Sequence, residues 1–172
     1  MTMLREKPSR RRRKLSAIGR PEFVVQEEPL LQFVDELLPL AIRFGQEKAI
    51  APVDPDWQGM LRMAATGSLR FVTARYDGVL VGFCANVLSL PMMYRSTPVG
   101  TTLAVYLDRS YRFGWNGYRL LRRNKRYLEQ WGCRHCHIST DDPRLGKIYQ
   151  RLGYCELERH YVSKINGSGF SL

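Results

Sequence analysis

The hydrophobic pattern between residues 101 and 154 predicts a strand, a loop, a helix, a second strand and a short second helix. Residues 101–107 form a β-branched and apolar run of strand length. Past the loop, apolar side chains recur with helical spacing until Gly132, a residue type that often ends helices. The predicted buried face of this helix consists of Leu120, Leu121, Asn124, Tyr127, Leu128 and Trp131. Residues 136–140 are the second strand, and a unit of this size favours a crossover between parallel or splayed strands.

Two helical patterns occupy the first half of the chain, after a short strand at residues 23–26. Residues 30–48 have helical spacing, but Pro39 lies inside the pattern and predicts a break or a bend there. Asp54 as the N-cap, followed by proline at the first helical position, predicts a second helix that ends at Ala65.

A hairpin follows these helices. Residues 69–76 and 79–88 predict strands joined by Asp77-Gly78, the strongest short hairpin signal in the chain. Alternation in the second strand predicts a half-buried sheet whose inner face carries Val79, Val81, Phe83, Ala85 and Val87.

The segment 89–100 has two interpretations. It contains two prolines and the adjacent residues Met92 and Met93. The methionines either offer a plastic apolar wall above a pocket or anchor an ordinary surface loop, and the sequence favours neither.

The loop at residues 112–117 has the residues of a phosphate site. A helix start exposes unpaired backbone N–H groups, Gly114 and Gly117 allow close approach, and Arg112 suits bidentate contact with phosphate. The alternative is a tight strand-to-helix turn with a solvated arginine, which the loop alone favours.

Composition indicates one ordinary globular domain, whereas charge singles out the N-terminus. The chain has 172 residues, 44% of them hydrophobic, and a net charge of +11. Residues 1–20 contain eight Lys or Arg residues and one acid, Glu6, so most of the net charge lies there. We expect a disordered basic arm at residues 1–22, a domain at 23–165 and a flexible tail at 166–172.

The basic arm has three interpretations. It is a solvated tail, a docking segment for an acidic partner through residues 5–20, or a nucleic-acid-binding arm, and contact with a polyanion is slightly favoured. The cations that would contact nucleic acid are Arg10, Arg11, Arg12, Arg13 and Lys14. The arm has no apolar run that suits a secretory signal or a membrane span, so we expect a cytoplasmic protein without membrane contact.

Cys133-Arg134-His135-Cys136-His137 spells the motif of covalent haem attachment. That chemistry requires export, and zinc would require two more ligands. The remaining candidates, Cys84, Cys155 and His160, contain no second close pair. We therefore expect no haem and no metal, and four reduced, buried thiols.

The motifs taken together resemble the acetyl-CoA-binding core of the GNAT superfamily of N-acyltransferases. The order is a strand, an R-x-x-x-x-G loop, a helix ending in Trp-Gly, a strand, and then D-P-R-x-x-x-x-Y-x-x-L-G-Y. Positions that match the family patterns are Arg112, Gly117, Asp142, Tyr149, Gly153 and Tyr154. The resemblance covers about residues 23–165, and the last part is most similar to small GNAT proteins of bacteriophages and prophages.

The resemblance implies an α/β (α+β) fold. The family has a mixed, mostly antiparallel central sheet of about six to seven strands, with a central parallel pair that splays apart, and about four flanking helices. It also implies an N-acetyltransferase that moves an acetyl group from acetyl-CoA to an amine acceptor. Small members of the family often dimerise, so a homodimer or an assembly component is expected.

The resemblance assigns roles to individual residues. Tyr149 would protonate the departing thiolate, although a purely structural aromatic beside Leu152 is the alternative, and Asp141 is the candidate base. Pantetheine would contact Val105, Tyr106 and Leu107. The diphosphate would contact Arg112, Phe113, Gly114, Trp115, Asn116 and Gly117. Asp142 would lie near the cofactor.

A second hypothesis keeps the fold without the catalysis. Trp115 stands where the family prefers glycine, and Asp142 where it prefers asparagine. These departures favour a catalytically silent structural or interaction protein, for example a virion or nucleic-acid-associated component that uses the basic arm.

Overall fold

Five strands form one sheet in the part of the chain that the computed structural model describes, residues 21–48 and 53–157. In chain order, which is also their order in the sheet, they are β1 Phe23–Glu28, β2 Leu69–Tyr76, β3 Val79–Ser89, β4 Val99–Leu107 and β5 His135–Ile138. Neighbours from β1 to β4 are antiparallel, and β4 and β5 are parallel. The predicted mixed sheet is confirmed, with five described strands instead of six to seven.

Four α-helices cover this sheet within the same described ranges: α1 Val34–Lys48, α2 Trp57–Ala65, α3 Asn116–Gln130 and α4 Pro143–Arg151. Short 3-10 turns occur at Leu30–Gln32, Met92–Tyr94 and Arg109–Tyr111. One core cluster joins α1 and α2 to one face of the sheet, and a second joins α3 to the other face. None of the described helices has the length and hydrophobicity that crossing a bilayer requires.

Of the two outcomes predicted at Pro39, a break or a bend, the break is wrong, because α1 continues through this residue. Proline removes one backbone hydrogen bond, and here it does so within the first two turns. Leu37 and Leu40, on either side, are buried against the sheet and hold the helix in place. The irregularity lies earlier, at Phe33, between the first 3-10 turn and α1.

The N-cap of α2 is Asp56, not Asp54 as predicted. The Asp56 carboxylate accepts a hydrogen bond from the backbone N–H of Gly59 at 2.8 Å. The helix therefore begins at Trp57, and Pro55 precedes the cap instead of opening the helix.

The hairpin prediction is confirmed, but the prediction of a half-buried second strand is wrong. Asp77 and Gly78 both have positive φ, as a tight two-residue hairpin turn requires. Helices pack on both faces of the sheet and bury both faces of β3, and a register shift that skips Val81 moves this residue to the α3 face. Leu80, Phe83 and Ala85 belong to the α1–α2 core cluster, whereas Val81 and Cys84 belong to the α3 cluster.

The methionines of the β3–β4 loop are not buried anchors. Met92 is 97% exposed, and Met93 and Tyr94 are also exposed. The interpretation of this segment as a loop held by buried methionines is therefore wrong.

A partly buried ionic cluster ties β1, β2 and α1 together. Arg75 donates to both oxygens of Glu28 at 2.8 Å and to both oxygens of Glu36 at 2.9 Å. Burial alone would raise the pKa of Glu28, but hydrogen bonds from Arg75, Thr73 and Gln26 outweigh it and lower that pKa to about 2. The Glu28 carboxylate therefore stays ionised at neutral pH.

Candidate active site

The parallel strands β4 and β5 separate at Thr102. Their pairing runs from Val99 opposite His135 to Thr102 opposite Ile138, where β5 ends. β4 continues to Leu107, and a register shift against β3 skips Leu103 at this point. Since bulges bend and twist the strand that carries them, the second half of β4 leaves β5 and has an open edge within the described residues.

Alternation along β4 determines which residues face this open edge. The Asp108 N–H donates to Val81 O at 2.8 Å, so it points toward β3. Backbone groups alternate in direction along a strand, so Tyr106 also pairs with β3, while Val105 and Leu107 face the open side. Of the three residues predicted to pair with pantetheine, Val105 and Leu107 present backbone groups there, and Leu107 O already accepts a bond from Arg112 Nε.

A buried polar cluster holds β4 at the point of separation. It consists of Asn86 on β3, Thr102 on β4 and Asn124 on α3, each at most 3% exposed. Asn86 Nδ2 donates to Asn124 Oδ1 at 2.8 Å, and Thr102 Oγ1 donates to Asn86 Oδ1 at 2.7 Å. Asn124 Nδ2 donates to Asn86 Oδ1 at 3.2 Å and to Thr102 Oγ1 at 3.1 Å. This cluster fixes α3 relative to the end of the β4–β5 pairing.

The start of α3 offers a group of free backbone amides. Among the described residues, the N–H groups of Gly114, Trp115, Gly117 and Tyr118 have no acceptor. Gly114 has a φ of 59°, which favours glycine. A Cβ at Gly117 would meet nothing within 4 Å, so a ligand can approach the amides there.

The aromatic residues of this loop leave the amides accessible. Trp115 is 70% exposed and makes an edge contact with Tyr118, with the ring centroids 5.7 Å apart. Phe113 is also exposed, and Asn116 is buried with its Nδ2 donating to Tyr111 O at 3.1 Å. The Trp115 indole therefore does not fill the space between β4 and β5.

Arg112 points away from the predicted phosphate position. Its Nη2 donates to both carboxylate oxygens of Glu47, at 2.8 and 3.0 Å, and its guanidinium lies 5.5 Å from the centre of the Tyr106 ring. In this arrangement Arg112 joins the C-terminal end of α1 to the loop after β4.

Tyr149 has a buried hydroxyl group that finds no partner in the described part of the chain. The residue is 6% exposed, and within the described ranges its hydroxyl makes no hydrogen bond. Burial is the main cause that raises the pKa of Tyr149, followed by the neighbouring Cys84, Tyr154 and Asp142. Since Cys84 influences this pKa and lies opposite Val105 in the sheet, we infer that the hydroxyl lies near the second half of β4, on the α3 face.

The two aspartates after β5 have different surroundings. Asp142 is the N-cap of α4, where its carboxylate accepts from Arg144 N–H at 2.8 Å. The Asp141 side chain is 78% exposed and is paired with Lys48 at the end of α1. The hydrogen bond from Lys48 lowers the pKa of Asp141, which makes it a weak base.

A cavity of about 380 Å³ lies on the opposite, α1 face of β4. It is lined by Arg43, Gln46, Glu47, Tyr106, Asp108 and Arg109. Of these six residues, only Tyr106 was predicted as a site residue. The four-residue spacing of Arg43 and Glu47 puts them on one helix face, but nothing local shows that this face meets the end of β4.

The cysteines do not converge. Cys84 is buried, Cys133 and Cys136 are half-buried, and Cys155 is exposed, which corrects the expectation of four buried thiols. Burial raises the pKa of Cys136 to about 11. Over residues 21–48 and 53–157, no group of three or more potential ligands is arranged to hold a metal ion. The predicted nucleic-acid contacts, Arg10 to Lys14, lie outside these ranges.

Comparison with known proteins agrees with this geometry. The model of the acetyltransferase (GNAT) family matches residues 33–154. No curated protein matches the chain in sequence.

Several solved structures are similar in fold. A ribosomal-protein-alanine N-acetyltransferase from Brucella melitensis biovar Abortus 2308 has a TM-score of 0.67 at 21% identity, over 85% of this chain and 99% of that one. The aminoglycoside N-acetyltransferase AAC(6')-Iy in complex with CoA has a TM-score of 0.60 at 19% identity, over 87% and 99%. An aminoglycoside acetyltransferase from an uncultured soil metagenomic sample, in complex with trehalose, has a TM-score of 0.67 at 11% identity, over 84% and 97%. Because the family model spans most of the described domain, the chain belongs to the GNAT acetyltransferase family.

Proposed function

We propose that this protein is an N-acetyltransferase that transfers an acetyl group from acetyl-CoA to an amine acceptor. The observation that carries the proposal is the Tyr149 hydroxyl, which is buried, has no hydrogen-bond partner among the described residues, and is inferred to lie near the second half of β4. Leaving a buried hydroxyl without a hydrogen bond costs roughly 1–3 kcal/mol, so such groups call for an explanation. A ligand sulfur atom at this point would give the hydroxyl its partner.

The chain has suitable groups for each part of the co-substrate, which supplies the acetyl group as an activated thioester. The free amides at the start of α3 would hold the diphosphate, where the helix dipole also favours negative charge. The outward backbone groups of Val105 and Leu107 would pair with the pantetheine amides. Asp142 would act by capping α4 and so positioning Tyr149.

Tyr149 would then give its proton to the departing thiolate. Its phenol is protonated at neutral pH, as an acid requires, and burial raises the pKa of Tyr149 further. Asp141 has less support as the base, because it is solvated and already bonded to Lys48. The acceptor amine would enter from the cavity on the α1 face.

These contacts favour the enzyme over the silent alternative. The two departures that motivated the alternative have local explanations, since Trp115 is exposed and Asp142 caps α4. A phage origin, a homodimer, a cytoplasmic location and polyanion contact by residues 5–20 stay predictions.

Calorimetric titration of acetyl-CoA into the purified protein tests the proposal. We expect micromolar binding that weakens about tenfold or more in Gly117→Glu, because this change adds a negative charge beside the free amides. Gln58→Glu is the matched control, since it adds the same charge in the exposed first turn of α2 and should bind normally. No heat at millimolar acetyl-CoA would contradict the proposal and favour the silent hypothesis.

A further inference from the structure

We propose that the cavity on the α1 face selects an acceptor amine that also carries a carboxylate, such as a short peptide or an amino acid. This inference rests on the proposed function, because it assigns the cavity to the acceptor. The charged side chains that line the cavity, and the hydrogen bonds that they make with one another, support it.

Both carboxylates of the cavity are engaged by arginines. Glu47 accepts from Arg112 Nη2 at 2.8 and 3.0 Å and from Arg109 Nε at 3.2 Å. Asp108 accepts from Arg43 Nη1 and from Ser110 N–H, the latter at 3.0 Å. A cationic acceptor would have to displace these guanidinium groups before it could reach a carboxylate.

The guanidinium groups, by contrast, retain unused donors. A guanidinium carries five N–H groups. Within the described part of the chain, Arg43 bonds only through Nη1 and Arg109 only through Nε, and both side chains are more than half exposed. A carboxylate is the group that planar, paired guanidinium donors bind best.

The net charge around the cavity also favours an acceptor with a carboxylate. Three guanidinium groups, those of Arg43, Arg109 and Arg112, surround two carboxylates, Glu47 and Asp108, so this region is net positive. A net positive field attracts an anion. It also disfavours the protonated form of a nearby amine, which raises the fraction that is neutral and able to attack a thioester.

The size of the cavity fits the same acceptor. A volume of about 380 Å³ is near the lower end of small-molecule sites and suits a dipeptide. A polycation such as an aminoglycoside would bring several positive charges into a region that offers it no free carboxylate among the described lining residues. We therefore expect the acceptor to differ from that of the aminoglycoside acetyltransferases that share the fold.

The experiment compares matched acceptors. A panel of dipeptides and the same dipeptides with amidated C-termini are assayed with acetyl-CoA, with kanamycin as the polycationic acceptor. We expect the free-acid peptides to have a kcat/KM about tenfold or more above the amides, the size of one charge-assisted hydrogen bond, and kanamycin to react more slowly than either. Calorimetric binding of each peptide to the protein without acetyl-CoA gives a second readout.

Three variants locate the effect. Arg43→Gln removes a carboxylate-binding group and releases Asp108, so the preference for the free acid should disappear and kanamycin should gain. Arg109→Gln should reduce the preference without releasing Asp108. Arg62→Gln is the control, because it removes the same charge from an exposed position on α2 and should leave the preference unchanged.

The outcomes separate this inference from the proposed function. Carboxylate-dependent peptide binding in a protein that does not bind acetyl-CoA would support the cavity assignment and contradict the transferase. Acetyl-CoA binding with equal use of acid and amide, or with faster transfer to kanamycin, would overturn the cavity assignment alone. Absence of peptide binding at millimolar concentration would also overturn it.

Discussion

Two groups of buried polar atoms lie on the α3 face of the sheet, and they differ in whether their hydrogen bonds are made. Asn86, Thr102 and Asn124 bond to one another, and Asn86 Nδ2 also reaches Cys84 O at 3.3 Å. The Tyr149 hydroxyl is equally enclosed but makes no hydrogen bond within the described residues. The first group sits where β4 and β5 are still paired, and the second lies beside the part of β4 that has left β5.

Under the proposed function, this difference separates the structural role of the polar cluster from the catalytic role of Tyr149. A fully bonded polar cluster stabilises one arrangement of the elements that contribute to it. A buried hydroxyl without a partner lowers stability, so its presence is explained best by a ligand that completes it. Substitutions in the two regions should therefore affect different measurements, stability in the first and turnover in the second.

The largest expected effect is that of Asn124→Ala on stability. The change leaves Asn86 and Thr102 with missing partners in a dry environment and opens a small cavity. We expect the free energy of unfolding to fall by about 3 kcal/mol, measured by urea denaturation. Gln130→Ala, at an exposed position of the same helix, should cost less than about 0.5 kcal/mol. A similar small loss in Asn124→Ala would show that the cluster is not structural.

Tyr149→Phe should lower turnover and leave stability unchanged, the opposite of the effect expected for Asn124→Ala. We expect kcat to fall about 10²-fold, the size of a lost general acid, while acetyl-CoA binding is retained. The free energy of unfolding should stay the same or rise slightly, because the removed hydroxyl makes no bond within the described residues. Tyr94→Phe, on the exposed β3–β4 loop, is the control for both measurements. An unchanged kcat would remove Tyr149 from the mechanism.

The sequence singles out Asn124 as a core residue and Tyr149 as a site residue, but it does not show which polar groups surround either of them. The helical period predicted that Asn124 faces the core, and the structure confirms this. Its partners, Asn86 and Thr102, are 38 and 22 residues away along the chain, so no local pattern identifies them. Tyr149 was selected by its resemblance to a family motif, whereas its unpartnered state depends on strands far away in the sequence.

The wrong predictions and the missed site residues have the same cause, because they depend on contacts between residues far apart in the sequence. The prediction at Pro39 considered the helix alone, but burial of Leu37 and Leu40 against the sheet decides its course. The prediction of a half-buried β3 followed from simple alternation, but α1 and α2 cover one face of this strand and α3 covers the other. Glu47 was missed as a site residue because it meets Arg112 across 65 positions of the sequence.

Thr102→Val should have the smallest effect on the free energy of unfolding, and it tests how much one member of the polar cluster contributes. Valine has nearly the same shape as threonine, and Asn86 and Asn124 would still bond to each other through two contacts, at 2.8 and 3.2 Å. We therefore expect a loss of only about 1 kcal/mol in the free energy of unfolding, with acetyl-CoA binding retained, because Thr102 pairs with Ile138 through its backbone.

The double variant of Thr102→Val and Asn124→Ala tests whether the cluster acts as a unit. Once Asn124 is absent, Thr102 Oγ1 retains only its bond to Asn86 at 2.7 Å, so removing it should cost a different amount than in the intact cluster. Denaturation of the four proteins of this cycle measures that difference. Strict additivity would mean that the three residues contribute independently, and the contrast with Tyr149 would then rest on single hydrogen bonds instead of a network.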